Sequence, residues 1–226
     1  LLANAPLAEF DFAMLGGYFV TEMVMYAVGF LIARLVFKTD VMEAALLGLA
    51  IALTNPILFV LPIAVTLFGE TAATPIVAII SMDGILIFSC SLILMDVLST
   101  KGASLGHTLG KIARNPPLVA MVLGLVIGLL GVSVPTGFDI FADFLGATAS
   151  PVLLFALGVI LSQKASGARA MLPVAIAGVK LVVHPLLAWA IFAGVLQLTP
   201  EVRNPAMMVA AAPCGAMCFM LALNYG

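Results

Sequence analysis

The chain has 226 residues, of which 64% are hydrophobic and only 9% charged, with nine Lys/Arg against eleven Asp/Glu and a net charge of −2. Soluble domains average about 25% charged residues, and so few charges cannot coat a water-soluble globule; the mean hydropathy of +1.27 agrees. An ordinary soluble enzyme, a nucleic-acid binder and a disordered chain are excluded, which leaves a polytopic membrane protein.

A bilayer core needs about 20 apolar residues per helix, so the apolar fraction suffices for roughly seven spans. The apolar runs are continuous, as in Met121–Val132 and Pro151–Leu161, whereas a membrane β-barrel alternates in polarity. The fold class is therefore all-α. In chain order, residues 1–8 read as the tail of an earlier span, and the chain, opening on Leu1-Leu2, reads as a fragment of a longer protein. Helices follow at Leu15–Phe37, Met42–Phe68, Pro75–Leu98, Pro117–Val132, Phe141–Gln163, Met171–Leu198 and Pro205–Tyr225, about seven to eight spans with the stub.

The linkers alternate in charge. One set holds Arg34, Lys38, Lys101, Lys111, Arg114, Lys164 and Arg169; the other holds Glu9, Asp11, Glu70, Asp139, Asp143 and Glu201, with Arg203 its only basic residue. The basic set is placed in the cytoplasm. The polar linker Ser99–Asn115 reads as either a join between two structural repeats or an ordinary solvated loop. His107 is read as solvated there.

Two spans carry helix breakers at mid-depth: Thr54-Asn55-Pro56 followed by Pro62, and Pro213-Cys214-Gly215. A proline in lipid is tolerated where protein or a wet cavity satisfies the freed backbone groups. One kink reads as packing. Two in matching places point to a transporter site, where free N–H groups and helix dipoles hold a carboxylate with few charged side chains. The expected substrate-binding residues are thus Asn55, Pro56, Pro62, Pro213, Cys214 and Gly215.

Ionisable residues at depth form a second set. Asp83 is central in its span, and Lys180 and His184 share a helix face at i,i+4. A buried charge is costly, so Asp83 is expected near Lys180 with His184 adjacent, either coupling protons to transport or as a static pair fixing helix packing. Glu22 lies about two turns into its span and reads as reaching the interface, with a buried role as the alternative. Cys90, Cys214 and Cys218 sit in apolar runs without a CxxC spacing and read as small packed thiols. Gly124, Gly128 and Gly131 read as close-packing glycines, and Met207, Met208, Met217 and Met220 as core filling. No metal site, no HExxH, no GxSxG and no Walker sequence is present, so no enzyme activity and no ATP use are expected.

The ordered set of motifs resembles the auxin efflux carrier family, in particular its bacterial malonate-transporter-like members. The stretches that carry it are Thr54-Asn55-Pro56 with Pro62, Lys111-Ile112-Ala113-Arg114-Asn115-Pro116-Pro117, Pro151 to Gly158, Lys180 to Pro185, and Ala212-Pro213-Cys214-Gly215 with the terminal Asn224-Tyr225-Gly226. The resemblance implies an inverted-repeat transporter of five plus five helices, with two broken helices crossing at the substrate. Residues 1–98 would hold the end of helix two and helices three to five, 99–115 a cytoplasmic linker, and 116–226 helices six to nine. It maps the substrate Asn onto Asn55, the crossover prolines onto Pro62 and Pro213, and loosely a supporting acidic residue onto Glu22.

The expected function is secondary transport of a small organic anion, malonate or a similar carboxylate, across a plasma membrane (bacterial inner membrane). H+ or Na+ is the possible coupling ion. No other cofactor and no nucleic acid are expected, and the lipid bilayer and a homodimer are the expected partners. The rival is a sodium-coupled bile-acid-type symporter or a cation/proton antiporter of similar architecture; an antiporter typically wants paired mid-membrane carboxylates, and Asp83 has no such companion in sequence.

Overall fold

The computed structural model describes residues 10–54, 56–99, 106, 110, 113–114, 116–132, 134–162 and 171–225. Residues 1–8, Asn55, His107, Gly226 and most of the Ser99–Asn115 linker lie outside the described residues. The described chain is helical, with no strand longer than an isolated bridge.

Helix α1 (Phe12–Val36) starts at an N-cap in which the Asp11 carboxylate accepts from the Met14 N–H. Its last turn, Ile32–Val36, is π-helical, and the chain then turns through Lys38 at φ 54°. Arg34 donates to the Thr39 carbonyl and holds the turn closed. Asp40 caps α2 (Val41–Ala52) by accepting from the Glu43 N–H at 2.8 Å.

After the break at Leu53–Thr54, a π-helical turn, Pro56–Val60, leads into α3 (Leu61–Phe68). Helix α4 (Glu70–Ser99) contains a π-helical turn at Asp83–Ile87. Next come α5 (Pro116–Leu130), α6 (Thr136–Leu161) and α7 (Met171–Val195). Helix α7 carries a π-helical turn at Val179–Val183, just ahead of Pro185, which has no N–H for the regular ladder. Helices α8 (Pro200–Ala211) and α9 (Ala216–Tyr225) flank the second break.

Three described helices, α1, α4 and α7, are long and apolar enough to cross a membrane. Many large apolar side chains face outward, among them Leu35, Phe144, Phe155 and Val195, as lipid-facing residues must.

The end of α1 and the end of α7 repeat one another in detail. Each finishes in a π-helical turn, Ile32–Val36 and Ala190–Val195. Each passes through one residue of positive φ, Lys38 and Gln197. In each the turn closes through matching bonds: Phe37 N–H to Ile32 O and Thr39 N–H to Ala33 O, against Leu196 N–H to Ile191 O and Leu198 N–H to Phe192 O. A helix of 12 residues then follows in both, α2 and α8, and both end on an extended residue, Leu53 and Ala212.

The core joins α1, α3, α4, α7 and α8 around Met14, Tyr18, Ile76, Ile79, Phe192 and Val209. Helix α1 packs most extensively on α2. There the backbones approach closely: a Cβ on Gly48 would sit 2.8 Å from the Tyr26 carbonyl, and one on Gly29 would sit 3.0 Å from the Gly48 Cα. Because the obstacle is backbone, Gly48→Val is expected to destabilise by about 1–3 kcal/mol, seen as a lowered thermal transition of the purified protein in lipid or detergent. Gly131 departs from its packing expectation. Its φ is 60°, and a Cβ added there would meet nothing within 4 Å, so it terminates α5 as a left-handed cap.

Candidate functional site

The two breaks meet. Helix α2 ends at Ala52 because residue 56 should donate to the Ala52 carbonyl and Pro56 has no N–H. Helix α8 ends at Ala211 for a related reason. Pro213 deprives the Val209 carbonyl of its donor, and the Ala212 N–H takes it instead at 3.1 Å. Beyond these ends Thr54 and Cys214 pair as an antiparallel bridge.

Pro56 and Gly215 are buried, while Pro213 and Cys214 are exposed. Asn55 is outside the described residues. Pro62 stands apart from the break: it is exposed, in the first turn of α3, where a proline is tolerated, and its carbonyl accepts from the Thr66 hydroxyl.

The carbonyl that Pro56 frees finds its donor 128 residues away: the Lys180 ammonium donates to Ala52 O at 2.9 Å. A cation is also favourable at a helix C-terminus. Lys180 is 2% exposed and lies 2.8 Å from His184 Nδ1. An ammonium only donates, so Nδ1 accepts and His184 is the neutral imidazole with its proton on Nε2. Two of the three ammonium donors are therefore engaged. Lys180 also lines a cavity of about 310 Å³ with Leu47, Ala50, Ile176, Pro213 and Cys214.

Asp83 and Glu22 complete the cluster. Lys180 does not hydrogen-bond Asp83, although it lies within Coulombic reach of both carboxyls and of the Cys214 and Cys218 thiols. Asp83 is thus near Lys180 with His184 adjacent, while the hydrogen bonds of the ammonium go to His184 and to the Ala52 carbonyl.

Glu22 does not reach the interface; it is 0% exposed, and Asp83 is 5% exposed. No N–H or O–H donor among the described residues reaches any of the four carboxyl oxygens. The two carboxyls, one from α1 and one from α4, lie close enough to act on each other. Asp83 therefore has a carboxylate companion after all, supplied by a helix far away in sequence. One turn from Glu22, the Tyr18 hydroxyl lies 3.3 Å from Thr54 Oγ1, and its ring packs against His184 and Phe192 at centroid distances of 6.3 and 6.4 Å.

The other polar groups at depth are committed locally. The Thr21 and Ser81 hydroxyls donate to Gly17 O and Val77 O of their own helices. The thiols are free, with Cys218 buried and Cys90 and Cys214 exposed, so only Cys218 is the packed thiol that the sequence suggests.

The sequence model of a family described as "Membrane transport protein" matches residues 11–226. A protein of Rhizobium meliloti (strain 1021) described as a "Putative malonate transporter" is 26% identical over 226 residues, covering 97% of this chain and 68% of the relative. With its apolar helices and a match over nearly its whole length, the chain is a multi-pass membrane protein that belongs to this family of membrane transport proteins, the auxin efflux carriers.

Proposed function

We propose that the protein is a secondary transporter of small organic anions, with malonate or a similar carboxylate as substrate, in a bacterial plasma membrane. The observation that carries this reading is the Thr54–Cys214 bridge beside a small cavity that Lys180 helps to line. One end of an anion accepts the third, uncommitted N–H of the Lys180 ammonium. The other end meets free backbone N–H groups at the start of α9, with Cys214 and Gly215 leading into that helix. Asn55 supplies an amide by its place between Thr54 and Pro56. The malonate relative of Rhizobium meliloti supports the carboxylate class.

The recurrence of turn, left-handed residue, 12-residue helix and extended break in α1–α2 and α7–α8 supports two repeats crossing at the breaks. In that arrangement residues 1–98 and 116–226 are the two halves and 99–115 the cytoplasmic linker between them. A cation/proton antiporter of similar architecture is the second reading, favoured by the Glu22–Asp83 contact; the mostly apolar cavity beside a single ammonium suits an organic anion better than a bare cation.

The test uses the exposed thiol at the break. In the full chain with Cys90→Ser and Cys218→Ala, malonate is expected to slow maleimide labelling of Cys214 at least several-fold, and Asn55→Ala is expected to remove that protection. Equal labelling rates with and without malonate, succinate or other short carboxylates would end the reading.

A further inference from the structure

We propose that Glu22 and Asp83 form a proton-binding carboxyl pair that couples anion transport to the proton gradient, acting on the helix break through Lys180 and Tyr18. The transport half of this statement rests on the function proposed above; the proton site rests on the burial of both carboxyls and on their lack of a donor among the described residues.

The geometry is a contact between two groups that both accept. Two neighbouring carboxylates only repel, and one proton on either of them relieves the repulsion and supplies the hydrogen that neither has otherwise. Both are buried, and no other described donor serves them. Charge arithmetic gives the same answer. Two carboxylates and the Lys180 ammonium sum to −1; one added proton makes the cluster neutral, the cheapest state in a low-dielectric interior.

The groups that face the pair do not change this sum. From α1 comes Tyr18, neutral and bonded to Thr54; from α7 come Lys180 and the neutral His184; the Cys214 and Cys218 thiols lie beside Lys180. A hard cation such as Na+ would need several oxygen ligands. No cluster of three acidic, His or Cys side chains gathers among the described residues.

Loading the pair is a single O–H bond formed on one carboxylate oxygen, with the second carboxylate accepting; release returns the proton to water and changes no other bond. The consequence reaches the break by two routes. Lys180 bonds the last carbonyl of α2, and Tyr18, one turn from Glu22, touches Thr54. Unloaded, the cluster carries −1 beside the cavity and repels an anion. Loaded, it is neutral, and the Lys180 ammonium is free to attract one. Proton and anion therefore bind together.

The experiment has two readouts on the full chain in lipid. Infrared difference spectra taken as pH is stepped, with no substrate present, are expected to show a protonated-carboxyl C=O band that titrates, and both Glu22→Gln and Asp83→Asn should remove or shift it. In proteoliposomes, malonate uptake driven by an imposed inward proton gradient should fall at least 10-fold in Glu22→Gln, while exchange of labelled malonate at equal concentrations persists, because the amide imitates the loaded state. A titrating band with no malonate transport keeps the proton pair and overturns the function proposed above. Malonate transport with no titrating band, or uptake driven by sodium and indifferent to the proton gradient, overturns the pair.

Discussion

Lys180→Met should abolish malonate uptake and destabilise the protein at once. The substitution keeps an unbranched apolar stem and removes the ammonium. Three partners are stranded together: the Ala52 carbonyl, which Pro56 cannot serve, the His184 Nδ1 lone pair, and the carboxyl pair that loses its counter-ion. Removing one partner of a buried charge cluster costs about 3–5 kcal/mol. Loss of a buried charge contact to the anion costs about 2–5 kcal/mol, roughly 30-fold or more in apparent affinity.

The two effects separate in the double substitution Lys180→Met with Glu22→Gln. With the pair unloaded, Lys180→Met strands two carboxylates and the double only one, so the double should recover part of the lost thermal stability at a pH above that at which the pair unloads, while uptake stays absent. Thermal unfolding and uptake assays on the wild type, both single variants and the double give the comparison. Additive stability losses would mean that Glu22 and Lys180 do not interact.

How far the sequence can be read depends on the scale of the interaction. Membrane character follows from composition, because a charge-poor surface cannot face water. The places where α2 and α8 stop follow from Pro56 and Pro213, because a missing N–H interrupts the helical ladder whatever else the chain packs against. The shared face of Lys180 and His184 follows from i,i+4 spacing, and the 2.8 Å contact between them is local too.

What the sequence does not show is long-range. Glu22 lies in α1 and Asp83 in α4, and nothing in either segment announces that the two helices bring these carboxyls together. The signal that points toward burial is depth: a Glu two turns into an apolar helix, one turn beyond a Tyr, is expensive unless it meets a partner. The ammonium's choice of Ala52 over Asp83 is equally hidden, since it needs the position of a carbonyl 128 residues away. Gly131 misleads for the opposite reason. A Gly-rich face looks like packing, but at a helix end the φ of 60° matters more than the missing Cβ contact.

Pro56→Ala should impair transport while leaving stability equal or higher, which few site substitutions do. The new residue has an N–H and no ring, so it is able to donate to Ala52 O and extend α2 into the π-helical turn that starts at Pro56. Ala is better than Pro by about 3 kcal/mol inside a helix, and that gain is available only if the break closes. Closing it displaces the Lys180 ammonium from Ala52 O and pulls Thr54 from both Cys214 and Tyr18. Malonate uptake is expected to fall at least 10-fold, and the thermal transition to hold or rise. Pro62→Ala is the matched control. That proline already lies in the first turn of α3, so replacing it closes no break and should change uptake little. Equal uptake by Pro56→Ala and wild type would mean that the interruption after Ala52 is a packing feature without a part in carrying the anion.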